Sequence, residues 1–225
     1  MIVTTGRTGS QHLVHLLDSH PQIGCFPELF NPMDDTWYRD SGYDNPFAFI
    51  HDLRGLGRWR RVGCKLTYQD FHHLPALFQL FDDTGVRVIS LYRDNLLAQV
   101  TSRAFVSATK TYHSTTGPHG IESIRLDTAN LLTDIYNLYA RDAFLSAIVR
   151  RNPVLRLEYL SLNDPRAHVE LQRFLRVRPT DLASVQAKLV ARPLADAIEN
   201  WDEVCSLLNH TPWERFLDGE PPRGT

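Results

Sequence analysis

The sequence predicts an α/β fold: a single domain with a central parallel sheet flanked by helices. Five short apolar or β-branched runs alternate with segments of helical periodicity, the pattern of parallel strands joined by crossover helices. At 225 residues the chain is long enough for one large core and too short for two comfortable ones. No internal repeat and no sustained low-complexity tract interrupts it.

In chain order, IVTT (2–5) is the first predicted strand and HLVHLLDS (12–19) carries the first helical pattern. IGCF (23–26) and VGCKL (62–66) are the second and third strands, each bounded by turn-forming or polar residues. HHLPALFQLF (72–81) predicts a helix, VRVISLY (86–92) the fourth strand, and DNLLAQVTSRAFVSA (94–108) the helix after it. A longer helix is expected within 121–151, where Leu131, Ile135, Leu138, Leu145 and Ile148 recur at helical spacing. VLRLEYL (154–160) is the fifth strand. DPRAHVELQRFL (164–175) and ADAIENWDEVCSLL (195–208) are closing helices, the latter starting just after Pro193. Segments 31–61 and 109–121 are rich in Gly, Pro, Asp, Ser, Thr and aromatics and read as long loops bordering a cleft. Residues 1–217 form the expected domain, and 218–225 a frayed tail.

The formal net charge of -2 argues against bulk binding to nucleic acid or an anionic membrane, while leaving room for one local basic pocket. No apolar run approaches the ~18 residues of a membrane span, and no leader precedes the first strand. Cys25, Cys64 and Cys205 are odd in number with no CxxC spacing, which suits free thiols in a reducing, cytoplasmic setting.

Parallel sheets bind ligands beyond the carboxyl ends of their strands. That places weight on residues 5–11, 26–32 and 92–102. In the first of these, GRTGS, Gly6 and Gly9 permit a tight turn, and the helix beginning near Ser10 offers unpaired N–H groups suited to a phosphate. Arg7 adds a permanent forked charge. An ordinary strand-to-helix turn with Ser10 as N-cap is the alternative. A nucleotide P-loop fits poorly, because no lysine precedes the serine. His12 and His15 lie one helical turn apart but lack a third ligand at a telling spacing, so no metal site is expected.

TTGRTGSQHLVHLLDSHPQIGCFPELF resembles the 5′-phosphosulfate-binding segment of PAPS-dependent sulfotransferases: a strand, a loop of the type R/K-[ST]-G-[ST], a helix, His-Pro, a second strand and a glutamate. Here these are Arg7-Thr8-Gly9-Ser10, His20-Pro21 and Glu28. VRVISLYRDNLLAQVTSRAF is similar to that family's 3′-phosphate segment, and VGCKL, LEYL and ENWDEV resemble blocks of its bacterial members, including trehalose 2-sulfotransferase-like proteins; tyrosylprotein sulfotransferase-like members share the glutamate. The resemblance implies a P-loop-nucleotide-kinase-like sulfotransferase fold with PAPS (3′-phosphoadenosine 5′-phosphosulfate) as donor, PAP as product, no metal, and a small-molecule or carbohydrate acceptor.

It further implies that Arg7, Thr8, Gly9, Ser10, Gln11 and His12 hold the phosphosulfate, and that Arg93 with Ser102, or alternatively Thr101, holds the 3′-phosphate, with Arg192 a late addition. Asp94 departs from the pattern of two consecutive basic residues, and would be unfavourable beside a phosphate unless it points away. The expected base is Glu28, placed near the first loop if the first two strands are neighbours; a histidine is the competitor. Lys65 either neutralises charge on the sulfuryl group, orients Glu28 or snorkels over the sheet edge. Tyr112 and His113, with Trp37, Tyr38, Tyr43 and Phe47, are candidate acceptor-cleft residues. Trp201 reads as core, and His72 and His73 as surface or cap residues. A small-molecule or nucleotide kinase, or a non-catalytic adenosine-bisphosphate-binding module, are the alternative functions.

Overall fold

Ile2–Thr4 (β1), Ile23–Phe26 (β2), Arg61–Thr67 (β3), Val88–Tyr92 (β4) and Val154–Glu158 (β5) pair in the order β2-β3-β1-β4-β5, every pair parallel. The computed structural model describes residues 1–31, 38, 40–55, 59–110, 121–184 and 192–218. They form two compact units: Met1–Tyr92 with Arg141–Ser184, and the described residues of 93–140 and 192–218. The expected parallel sheet lies wholly in the first unit.

Side chains alternate across a strand, and β1 shows what that does here. Ile2 packs with Leu13, Val14 and Leu17 of helix α1 (Ser10–Asp18) and with Leu171 of α6 (Pro165–Phe174). Val3 packs on the opposite face with Phe49 and Leu53 of α2 (Pro46–Gly55) and Phe71 of α3 (Tyr68–His73). Both faces are therefore covered, which is why the strands read as nearly unbroken apolar runs. His20 fastens the turn before β2: its Nδ1 accepts from the Gln22 N–H at 3.0 Å, and Nε2 meets the Arg178 carbonyl at 2.8 Å.

The second unit has its own core, in which Leu97 and Val100 of α4 (Leu96–Thr109) meet Leu131, Ile135 and Leu138 of α5 (Leu131–Ile148), Val204 and Leu208 of α8 (Trp201–Leu208), and Phe216. Helix α5 (Leu131–Ile148) begins in this unit and ends in the first. Trp201 packs against this core, as expected.

Two helix expectations and one loop expectation are corrected. The predicted helix 72–81 is α3 followed by a separate 3-10 segment, Pro75–Phe81, because Pro75 cannot donate to the turn before it. The predicted helix 195–208 is two pieces, α7 (Leu194–Ala197) and α8 (Trp201–Leu208). Between them Ile198 bridges Ile124, and Asn200 grips Leu126: its Oδ1 accepts from the Leu126 N–H at 2.9 Å and its Nδ2 donates to the carbonyl at 3.0 Å. Segment 31–61, expected as loop, contains α2.

Candidate functional site

Residues 5–9 leave the carboxyl end of β1 and enter α1 through a left-handed backbone. Gly6, Arg7 and Gly9 have φ of +83°, +56° and +76°. Such a run curls main-chain N–H groups into a concavity for an anion, here at the positive end of a helix. Gly9 is the N-cap and forms no side-chain cap hydrogen bond. A Cβ on it would lie 2.6 Å from Cδ2 of Tyr159 and 3.0 Å from Cδ1 of Leu162, so only glycine fits. A Cβ on Gly6 would meet nothing within 4 Å, so its demand is conformational alone. Arg7 is a non-glycine residue in this region, a form of strain that persists only where surrounding structure imposes it.

The rest of the loop is pinned from within. Thr8 is fully buried and its hydroxyl meets that of Thr4; the Gly6 N–H reaches the Thr4 hydroxyl at 3.4 Å. Ser10 is buried at the start of α1. Gln11 turns its amide toward His15 Nε2 at 3.1 Å, and His12 places Nδ1 2.8 Å from the Ser184 hydroxyl. The His12–Ser184 contact spans most of the chain and has no local sequence signal.

Glu28 follows β2, but β1 and β2 are not neighbours, since β3 lies between them. The link is Lys65 of β3, whose Nζ donates to Glu28 Oε1. Lys65 is 3% exposed at the side chain and Glu28 24%. Asn31 donates from Nδ2 to the other carboxylate oxygen at 2.6 Å. One carboxylate is thus held at both oxygens while a quarter of its side-chain surface faces outward. Of the three sequence alternatives for Lys65, orienting Glu28 matches this contact. Asp70, at the start of α3, is a second buried carboxyl within electrostatic reach of the pair. Burial raises its pKa, against the lowering effect of the Thr67 N–H and hydroxyl, at 2.5 and 2.9 Å. Neither Asn31 nor Asp70 stands out in the sequence; Asp70 is the last residue of a T-x-x-D capping box, the one signal available.

The second unit carries the remaining candidates. Arg93 is buried rather than solvated, and its Nη1 donates to the Ala98 carbonyl in the first turn of α4 at 3.2 Å. The Asn95 side chain caps that helix by accepting from the Ala98 N–H at 2.9 Å. Thr101 is fully buried and donates its hydroxyl to the Leu97 carbonyl at 2.8 Å; Ser102 is buried next to it. Asp94 is exposed and clamped by Arg215, at 2.8 and 3.2 Å from its two oxygens, so its charge is matched by a cation the sequence pattern did not suggest. Arg192 is exposed and 3.7 Å from Glu122.

The acceptor-cleft candidates are placed as follows. Tyr38 and Tyr43 pack on Phe49, with ring centroids 5.6 and 5.5 Å apart. Phe47 lines a cavity at the amino edge of the sheet. Trp37, Tyr112 and His113 lie outside the described residues. His72 and His73 end α3 and are exposed. Among the described residues no helix is long and apolar enough to cross a membrane, and no three His, Cys, Asp or Glu side chains gather as a metal site.

None of the known protein-family models matches the chain. It is similar to Nodulation protein H of Rhizobium meliloti, with 26% identity over 242 residues, 96% of this chain and 94% of that one. It is also similar to Nodulation protein H of Rhizobium tropici, with 31% identity over 103 residues, 43% of this chain and 41% of the other. Among solved structures it resembles a sulfotransferase from Alicyclobacillus acidocaldarius, with 14% identity and a TM-score of 0.47, covering 96% of this chain and 93% of that one.

Proposed function

We propose that residues 1–217 are a PAPS-dependent sulfotransferase domain acting on a hydroxyl of a small molecule or carbohydrate. The observation that carries this reading is the left-handed run through Gly6, Arg7 and Gly9 at the start of α1, with Gly9 closed against Tyr159. That cradle fits a phosphate or a phosphosulfate. It carries Arg7 as its charge and lacks the lysine that an NTPase places before its serine, which weighs against γ-phosphoryl transfer.

PAPS, when bound, supplies the sulfuryl group to the attacking oxygen in line with the leaving phosphate and departs as PAP. Arg7 stabilises the negative charge that develops on the leaving side, the place where a fixed cation contributes most. Glu28 takes the acceptor proton. Lys65 supplies the counter-charge to its ionised form, and Asn31 fixes the carboxylate plane, so that the oxygens stay oriented between turnovers. The 3′-phosphate is assigned to Arg93 and Ser102. Thr101, whose hydroxyl donates to the Leu97 carbonyl, is the alternative. Arg192 is a peripheral contributor, and the protein works in a reducing, cytoplasmic setting with three free thiols.

Arg7→Ala tests the reading directly. It should weaken PAP binding about tenfold or more, the worth of one lost charge-assisted contact, and lower turnover at saturating PAPS as well. An Arg7→Ala protein with unchanged PAP affinity and unchanged turnover removes the loop from the mechanism.

A further inference from the structure

At the amino edge of the sheet, where β1, β2 and β3 begin and where Arg87 and Pro153 precede β4 and β5, a cavity of about 500 Å³ opens. It is remote from the loop after β1: β3 alone, 7 residues long, sets the two edges about 20 Å apart. Five arginines line it, Arg54, Arg60, Arg61, Arg87 and Arg176, together with His51; Asp83 is the one carboxylate among the lining residues. Among the described residues none of the five arginines is in an ion pair.

The innermost two are held by main chain instead. Arg61 donates Nε to the Leu175 carbonyl at 2.8 Å and Nη1 to the Arg60 carbonyl at 3.3 Å. Arg87 donates Nη1 to the Phe174 carbonyl at 2.9 Å, and its guanidinium lies 5.3 Å from the Phe174 ring centroid. A guanidinium has five N–H donors, so both keep donors beyond those bonds. The arginines are near enough to one another that, after burial, their mutual repulsion lowers the Arg61 pKa. Concentrating like charge around one cavity, in a chain of net charge -2, is unfavourable unless an anion enters. Behind the charges the walls are apolar, built by Ile2, Leu17, Ile23 and Ile89, with Phe47 exposed among the lining residues.

We propose that this cavity binds a small organic phosphate or sulfate monoester with an apolar body, the ester group held by the arginines and the body against the sheet-end side chains. Guanidinium forks match the tetrahedral oxyanion bidentately, and the volume suits a compact organic ligand. The site is separate from the transfer site and does not depend on the function proposed for it.

Calorimetric titration of the full chain with 1-naphthyl phosphate and 1-naphthyl sulfate tests this, with 1-naphthol and inorganic phosphate as controls. Saturable binding of at least one ester is expected, weakening with added salt; the tighter ester identifies the anion. The Arg54→Gln/Arg60→Gln/Arg176→Gln variant alters exposed side chains with no side-chain hydrogen bond among the described residues, and should keep its Tm while losing about tenfold or more in affinity. Arg61→Gln/Arg87→Gln should lose more, whereas Arg7→Ala should bind the ester as before. The proposal is overturned if neither ester binds saturably, if binding ignores the triple substitution but fails in Arg7→Ala, or if inorganic phosphate binds as tightly as the esters.

Discussion

Replacing Glu28 by glutamine removes one negative charge while keeping the shape of the side chain, and its consequences divide into a chemical and a structural part. Loss of a positioned base costs about 100- to 10,000-fold in turnover, equivalent to about 3–5 kcal/mol of barrier. The structural part comes from Lys65, whose side chain is 3% exposed and would then face a neutral amide. Breaking a fully buried pair costs about 3–5 kcal/mol. Because Glu28 is 24% exposed, water screens part of that, leaving about 2 kcal/mol. For a chain of this length this lowers Tm by about 4–8 °C. Turnover should therefore be measured by radiolabelled sulfate transfer well below the mutant's Tm, alongside PAP binding. The two parts separate in Glu28→Gln/Lys65→Met: removing the lone buried ammonium should restore much of the Tm while turnover stays low. Full turnover in Glu28→Gln refutes its role as base, and an unchanged Tm refutes the energetic coupling to Lys65.

Gly9→Ala and Gly6→Ala should differ sharply. Both place alanine at positive φ, costing about 1–2 kcal/mol, but only Gly9→Ala drives a Cβ to 2.6 Å from Tyr159, so thermal melts should rank it well below Gly6→Ala and PAP titration should show the greater loss. Asn200→Ala strips both main-chain bonds from Leu126 and should cost about 2–3 kcal/mol in denaturant unfolding. Burial pushes the Cys25 and Cys64 thiols up to about 12 from 9.0. With a thiol reagent near pH 8, half-buried Cys205 should react first and the other two only on unfolding. Those two thiols make a stability contribution that is full below pH 9.0 and is lost as pH rises toward about 12, because the unfolded chain ionises them first. Unfolding free energy should fall through that window by about 1.4 kcal/mol per thiol per pH unit.

The sheet was legible because each strand is a short apolar run with a polar or glycine boundary, and all five lie within two residues of their expected limits. The helices were less so wherever a distant residue overrides local periodicity. The run from 195 to 208 keeps a helical pattern, yet Asn200 and Ile198 are drawn to Leu126 and Ile124, contacts of more than 70 residues' separation that no local window contains. The aromatics of 31–61 read as cleft residues because aromatic-rich polar stretches often are; Tyr38 and Tyr43 pack edge-on against Phe49, whose helix the many turn-forming residues had masked. In the candidate site, the glycines of GRTGS were readable because the required backbone has few solutions. The Glu28–Lys65–Asn31 arrangement was only half readable. Glu28 and Lys65 could each be suspected from strand-end positions, but their contact depends on β3 lying between β1 and β2, which is a matter of strand order. Arg215 at Asp94 was invisible for the same reason, being 121 residues away.

The central claim is that the loop after β1 serves sulfuryl transfer. Incubating the protein with sulfur-labelled PAPS and pools of hydroxyl-bearing small molecules and carbohydrates, without added metal, and with labelled ATP plus magnesium in parallel, tests it most directly. The account predicts label moving from PAPS to a product heavier by one sulfuryl group, inhibition by PAP, loss in Arg7→Ala, and no transfer from ATP. Phosphoryl transfer from ATP with no reaction or binding of PAPS would contradict it.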